Sequence, residues 1–336
     1  MKKPIDVTVI LLEGGYASTA IAPIEVFHSA GVLWQWLKGE ASEPRFRVTI
    51  ASPGGRMIKT LYNLGLKPQC ALEDIERTDI VMISASAVDL QRKIMRHTSL
   101  IPWLRRMHEQ GAYLAAACSG AAFLAETGLM DGREATTHWG VVEKLRELYP
   151  RVNWKPENFV TEDGRVCCSG GVYGALDLSL YLVEKFCGHE VALQCARSLL
   201  VGLPRTSQTG YSVTPLSRPH SDKRIRKAEE YLHAHFREEV GIESLAKRAA
   251  MSPRNFIRRF KAATGRLPGE YLQLTRISVA RELLENDSVS IQEVSSRAGY
   301  GDLSFFRALF KRHTGMTPAE YRSRFAPQYG RSEVVA

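Results

Sequence analysis

Apolar and polar positions follow two different rhythms along this chain. Up to about residue 210, short apolar runs alternate with helical patterns, the mark of an α/β domain built on a mostly parallel sheet. Residues 7–12 form a continuous β-rich run, followed by Gly14, Gly15 and an amphipathic stretch to about Leu37. Residues 46–51, 79–84, 113–117 and 165–169 read as further strands, and 173–186 as a helix. Strands apolar on both faces imply helices on both sides of the sheet, a doubly wound arrangement.

Residues 206–222 change character, with turn formers and two prolines, as expected of a linker or domain edge. Beyond them strand patterns vanish and apolar positions fall at helical spacing. The division read from the sequence is a first domain over 1–212, a linker over 213–222, an all-α domain over 223–326 and a tail over 327–336.

The all-α part repeats itself. Ile242, Leu245 and Ala249 recur as Ile291, Val294 and Ala298; Phe256, Phe260, Gly265, Pro268 and Tyr271 recur as Phe306, Phe310, Gly315, Pro318 and Tyr321. The offset grows by one residue between these sets, which puts an extra residue in the second turn, around Gly299-Tyr300-Gly301. Each copy has the pattern of a helix-turn-helix: a short helix, a tight turn and a capped second helix. Ser252 with Pro253 behind it, and Asp302 in the second copy, are the expected caps. The phenylalanines four residues apart should face the core. Arg254, Arg258 and Lys261 lie off that stripe, and the second copy offers Leu303, Ser304, Arg307 and Lys311. Arginine is suited to bidentate reading of guanine, although any one arginine here is more often a phosphate contact or solvated than a base reader.

These residues strongly resemble the AraC/XylS family of regulators. The first copy carries Ala246, Met251, Ser252, Arg254, Phe256, Arg258, Phe260 and Lys261; the second carries Ala298-Gly299-Tyr300, Asp302, Ser304, Phe306, Phe310, Lys311, Gly315, Thr317, Pro318, Tyr321 and Arg322. Its departure from the usual form is Phe306-Arg307-Ala308-Leu309-Phe310. The resemblance implies a long helix, about 271–284, that holds both recognition helices toward one face of double-stranded DNA. It also implies a cytoplasmic regulator acting as a homodimer, and RNA polymerase as a partner if it activates.

Charge agrees with this. Of the net +9, residues 220–336 supply 21 Lys/Arg against 14 Asp/Glu, and residues 1–219 supply 24 against 22. A basic surplus confined to one domain suits a polyanion. No apolar run suggests a signal peptide or a membrane span. The six cysteines form no CxxC pair and no zinc spacing, so reduced thiols are expected, with no metal or cofactor. Cys167 and Cys168, as strand neighbours, should point to opposite faces.

One cysteine stands apart. Ala116-Ala117-Cys118-Ser119-Gly120 has the spacing of a nucleophile elbow, where a strand turns sharply into a helix. A helix N-terminus aimed at the thiol would make Cys118 the most thiolate-like of the six, and His138 is the candidate base. The segment resembles the ThiJ/PfpI-like branch of the class I glutamine-amidotransferase fold, on residues 115–125, 136–139 and 168–184, with Pro23-Ile24-Glu25-Val26-Phe27 near the start. That resemblance implies a flavodoxin-like amidotransferase fold and a ligand pocket at Thr19, Cys118, Ser119 and His138. Where the branch has an acidic side chain beside the cysteine, this chain has Thr19. Three readings stay open: a catalytic nucleophile in a hydrolase, hydratase or glyoxalase-like enzyme; a ligand-pocket or redox-sensitive residue in a domain sensing a small-molecule effector; or a small residue at a tight turn. The missing acid favours sensing, without turnover, in a regulator that binds specific DNA sequences.

Overall fold

A computed structural model describes residues 3–85, 94, 95, 97–212, 216, 217 and 220–326. The expected linker over 213–222 lies partly, and the tail over 327–336 wholly, outside the described residues. The chain divides into two compact units, Met1–Gln208 and Thr209–Ala336.

The first unit is built on a seven-stranded sheet. Its strands are β1 (Ile5–Ile10), β2 (Phe46–Ser52), β3 (Cys70–Ala71), β4 (Ile80–Ile83), β5 (Tyr113–Ala117), β6 (Val160–Asp163) and β7 (Val166–Ser169), in the order β6-β7-β5-β4-β1-β2-β3. All neighbours are parallel except β6 and β7. After β1 the chain builds outward through β2 and β3, then returns to place β4 on the other side of β1. That reversal makes a switch point, and in open α/β sheets ligands bind outside the strands' carboxyl ends there.

Helices cover both faces, because the strands are apolar on both. Ile10, Val81, Leu114 and Cys168 pack with Leu100, Trp103, Leu104 and Phe123, which come from α3 (Leu100–Glu109) and α4 (Ala121–Glu126). Val7, Val9, Met82 and Cys167 pack on the opposite face with Phe27, Leu178, Leu182 and Ala192. These lie on α1 (Ser18–Ser29), α6 (Gly174–Cys187) and α7 (His189–Ser198). Cys167 and Cys168 thus belong to different cores, as strand alternation requires. Two shorter helices are α2 (Leu33–Lys38) and α5 (Val142–Leu148); α1 and α2 divide the stretch that the sequence reads as one amphipathic run.

The second unit is helical. It comprises α8 (Lys223–Ala234), α9 (Ile242–Arg248), α10 (Pro253–Thr264), α11 (Pro268–Asn286), α12 (Ile291–Arg297), α13 (Leu303–Thr314) and α14 (Pro318–Phe325). The repeat is reproduced in atomic detail. Ser252 accepts from the Asn255 N–H and Asp302 from those of Ser304 and Phe305, each capping the second helix of its copy. Both helices end on a left-handed glycine, Gly265 at φ +82° and Gly315 at φ +73°. Phe260 and Tyr271 meet edge to face at 5.4 Å, Phe310 and Tyr321 at 5.3 Å. The turn α9–α10 spans 249–252 and the turn α12–α13 spans 298–302, so the extra residue falls where the shift in offset puts it.

Each copy has its own core. Ile225, Leu245, Phe256, Phe260 and Tyr271 form the first; Ile277, Ala280, Leu284, Val294, Phe306 and Phe310 form the second. Both draw on α11, which is longer at each end than the sequence suggests. Residues 209–212 belong to this unit for a specific reason. Arg281 on α11, half-buried, donates to the carbonyls of Thr209 (2.8 Å) and Ser212 (2.7 Å). Tyr211 meets the Phe325 ring at 5.3 Å and accepts from Arg324. A fragment over 209–326 is therefore expected to fold alone and to unfold at higher temperature than one over 222–326. The shorter fragment leaves the Arg281 guanidinium without those acceptors, and hydrogen bonds to charged groups contribute about 1.5–3 kcal/mol. Thermal melts followed by circular dichroism check this; equal melting temperatures would mean that residues 209–212 add nothing.

Candidate functional site

The chemistry of the first unit gathers at the carboxyl ends of β1, β4, β5 and β7. β5 ends in small, fully buried residues, and Cys118 then takes a left-handed backbone, φ +53°. Non-glycine residues seldom adopt it. Ser119 and Gly120 complete a tight turn into α4. Gly120 has to be glycine here, since a Cβ would lie 2.9 Å from the Ser84 carbonyl oxygen and 3.0 Å from that of Ile83. The elbow read from the sequence is thus present as backbone geometry. The Thr137 hydroxyl donates to the Cys118 carbonyl at 2.9 Å and fixes the turn from the other side.

The thiol departs from expectation. Cys118 is buried, 7% exposed, and its pKa is pushed up to about 11. Desolvation is the largest cause; hydrogen bonds from Ser119 and the Gly171 backbone oppose it without overcoming it. The following helix has only six residues, too short to outweigh burial. Cys118 is accordingly a neutral thiol near pH 7. Cys168 and Cys195 are pushed up to about 12, also by burial.

The other residues singled out from the sequence are placed unequally. Ser119 is buried beside the thiol. His138 is half-buried, and burial lowers its pKa and keeps the ring neutral. Its Nδ1 accepts from the Gly140 N–H at 2.9 Å, and the ring leans on Trp139. Among the described residues no hydrogen bond joins His138 to Cys118. Thr19 is buried and its hydroxyl is fully engaged: it donates to the Tyr16 carbonyl (2.6 Å) and accepts from the Ala85 N–H (3.0 Å). It fastens the loop after β1 to the loop after β4.

Sequence reasoning missed three residues here. Tyr16 lies close enough to Cys118 for the sulfur to add to a rise in its phenol pKa that Tyr62 dominates. Tyr62 meets Tyr16 edge to face at 6.0 Å, from the hairpin whose strands are Ile58–Lys59 and Gly65–Leu66. Gln208 is buried, and its Nε2 donates to Thr136 Oγ1 and to the carbonyls of Thr137 and Asn158. Its side chain fills the space where a Cβ on Gly170 would sit. Tyr16 could have been suspected from its place just after β1, at the switch point. Tyr62 and Gln208 carried no signal.

In the second unit, Arg254, Arg258 and Lys261 are exposed on α10, and Ser304, Arg307 and Lys311 on α13. Arg258 also donates to Asn255 Oδ1 at 3.0 Å. Leu303 is half-buried. The Ser252 hydroxyl is used as a cap.

At pH 8 a thiol held at about 11 is ionised in roughly one molecule in a thousand. Iodoacetamide is therefore expected to label the half-buried Cys70 before Cys118, and labelling of Cys118 should quicken about tenfold per pH unit. Peptide mapping after brief exposure reads both; Cys118 labelled first at pH 8 would mean that the elbow activates it after all.

Residues 6–185 match the family model of the DJ-1/PfpI family, and residues 245–324 match that of a helix-turn-helix domain. The chain is 25% identical over 279 residues to the HTH-type transcriptional regulator CdhR of Pseudomonas aeruginosa, spanning 83% of this chain and 82% of that one. It is 27% identical over 291 residues to the HTH-type transcriptional regulator GlxA of Rhizobium meliloti, spanning 84% and 87%. The crystal structure of Drosophila melanogaster DJ-1beta shares the fold of the first unit, with a TM-score of 0.51 at 21% identity, over 60% of this chain and 100% of the other. Among the described residues no helix is long and apolar enough to cross a membrane. With the elbow, the switch-point sheet and a match over more than half its length, this chain belongs to the DJ-1/PfpI family and carries a helix-turn-helix domain behind that fold.

Proposed function

We propose that this protein is a transcriptional regulator that binds specific DNA sequences through α10 and α13 and senses a small molecule in the pocket around Cys118. The observation that carries the reading is the pair of capped recognition helices, each with two phenylalanines four residues apart turned inward and polar or basic side chains left exposed. Arg254 and Arg258 stand one turn apart on the exposed side of α10, the spacing at which two guanidiniums can reach neighbouring bases. The net positive charge of this part of the chain favours phosphate contacts along the flanks.

The first unit acts in this reading as a receiver rather than a catalyst. Cys118 is neutral, His138 is turned to its own loop, and Thr19 supplies no carboxylate. Ser119, Tyr16 and Tyr62 add polar and aromatic surface around a buried sulfur, a lining that suits a small, partly apolar effector. The protein would work in the cytoplasm as a homodimer, with RNA polymerase as a further partner where it activates.

Arg254→Ala and Arg258→Ala are each expected to weaken binding to a selected operator by about 1–3 kcal/mol while changing non-specific binding much less. Fluorescence anisotropy on operator and scrambled duplexes separates the two. Variants that bind and footprint as wild type would remove α10 from base reading.

A further inference from the structure

The repeat fixes which residues of the two recognition helices are equivalent, and the equivalence is not the one their charges suggest. At the offset of 50 that aligns the inward phenylalanines, Arg254, Arg258 and Lys261 of α10 correspond to Ser304, Ala308 and Lys311 of α13. Arg307, the most obvious cation of the second helix, instead matches Ile257. Two guanidiniums on one exposed side are thus replaced by a hydroxyl and a methyl on the other, with Ser304 and Ala308 both exposed.

Asn255 is replaced by Phe305. This ring is 54% exposed, while Phe256, Phe260, Phe306 and Phe310 are completely buried. Phe305 is therefore surplus to the core that defines the repeat; its ring contact is with Tyr300 at 6.1 Å. It sits in the first turn of the capped helix, where the helix-turn-helix brings side chains to base edges. Among the groups presented by the major groove, the thymine C5-methyl is the apolar one.

We infer that the two recognition helices read chemically different half-sites: α10 by hydrogen bonds from arginine, and α13 by apolar contact of Phe305 and Ala308 with thymine methyl groups. This rests on the DNA-binding reading above and adds to it the base chemistry of the second half-site and a specificity-determining residue, Phe305. Because Phe305 lies outside the core, Phe305→Ala leaves the fold intact, which far-UV circular dichroism verifies.

The test uses the full chain. Duplexes are selected from a random library, and each thymine of the selected site is then replaced singly by deoxyuridine, which removes only the methyl. Wild type is expected to lose roughly threefold to tenfold in affinity at one or two positions of one half-site, the scale of one buried methyl group. Phe305→Ala should bind the thymine duplex more weakly and be indifferent to deoxyuridine at those positions. Two results overturn the inference alone: wild type insensitive to every deoxyuridine, or Phe305→Ala penalised equally on thymine and deoxyuridine duplexes, which would assign Phe305 to a protein partner or to packing. Failure of the wild type to enrich any sequence would overturn the DNA-binding reading as well.

Discussion

Everything in the second unit is referred to α11. It is the one helix that enters both cores, with Tyr271 closing the first and Ile277, Ala280 and Leu284 lining the second. Nineteen residues at 1.5 Å each give a rod of about 28 Å. Each recognition helix shares a core with its own end of that rod, so a continuous helix rather than a flexible connection joins the two copies. Side chains of the same helix gather in the surrounding chain. Arg276 donates to the carbonyls of Phe236 and Glu238, and Arg281 to those of Thr209 and Ser212. The two tyrosines related by the repeat add matching polar anchors, Tyr271 to His233 and Tyr321 to Glu285.

In the first unit two physical effects compete at one atom. A strand-to-helix turn offers backbone N–H groups to the Cys118 sulfur, which favours the thiolate; burial at the carboxyl end of an interior strand favours the thiol. Burial prevails, because removing a charge from water costs more than a one-and-a-half-turn helix returns. The elbow and a lowered thiol pKa are therefore separable: the turn is present, and burial holds Cys118 up at about 11. The local bonding agrees: Thr19 and Thr137 spend their hydroxyls on backbone partners.

What the sequence made legible was what periodicity and turn chemistry encode locally. The sheet strands announced by residues 46–51, 113–117 and 165–169 appear within a residue of those limits. Ser252 and Asp302 were readable as caps because a cap is a local hydrogen bond, and the shift in repeat offset located the longer turn. The neutral state of Cys118 was not readable, since desolvation depends on everything packed around the sulfur. Nor was the nearness of Tyr62, which depends on where a hairpin far along the chain comes to rest. The extent of the second unit was hidden in the same way: residues 209–212 look like linker by composition, and only distant residues, Arg281, Arg324 and Phe325, tie them to the helices.

The left-handed backbone of Cys118 has a consequence for redesign. An L-residue in that conformation gives up about 1–2 kcal/mol, whereas glycine takes it freely, as Gly171 does at φ +79° beside the same site. If tightness were the turn's sole requirement, glycine at 118 would meet it with less strain. Against that strain stands the burial of the Cys118 side chain, which glycine would forfeit. A stabilisation campaign scored on backbone strain alone would favour glycine there and discard the buried thiol.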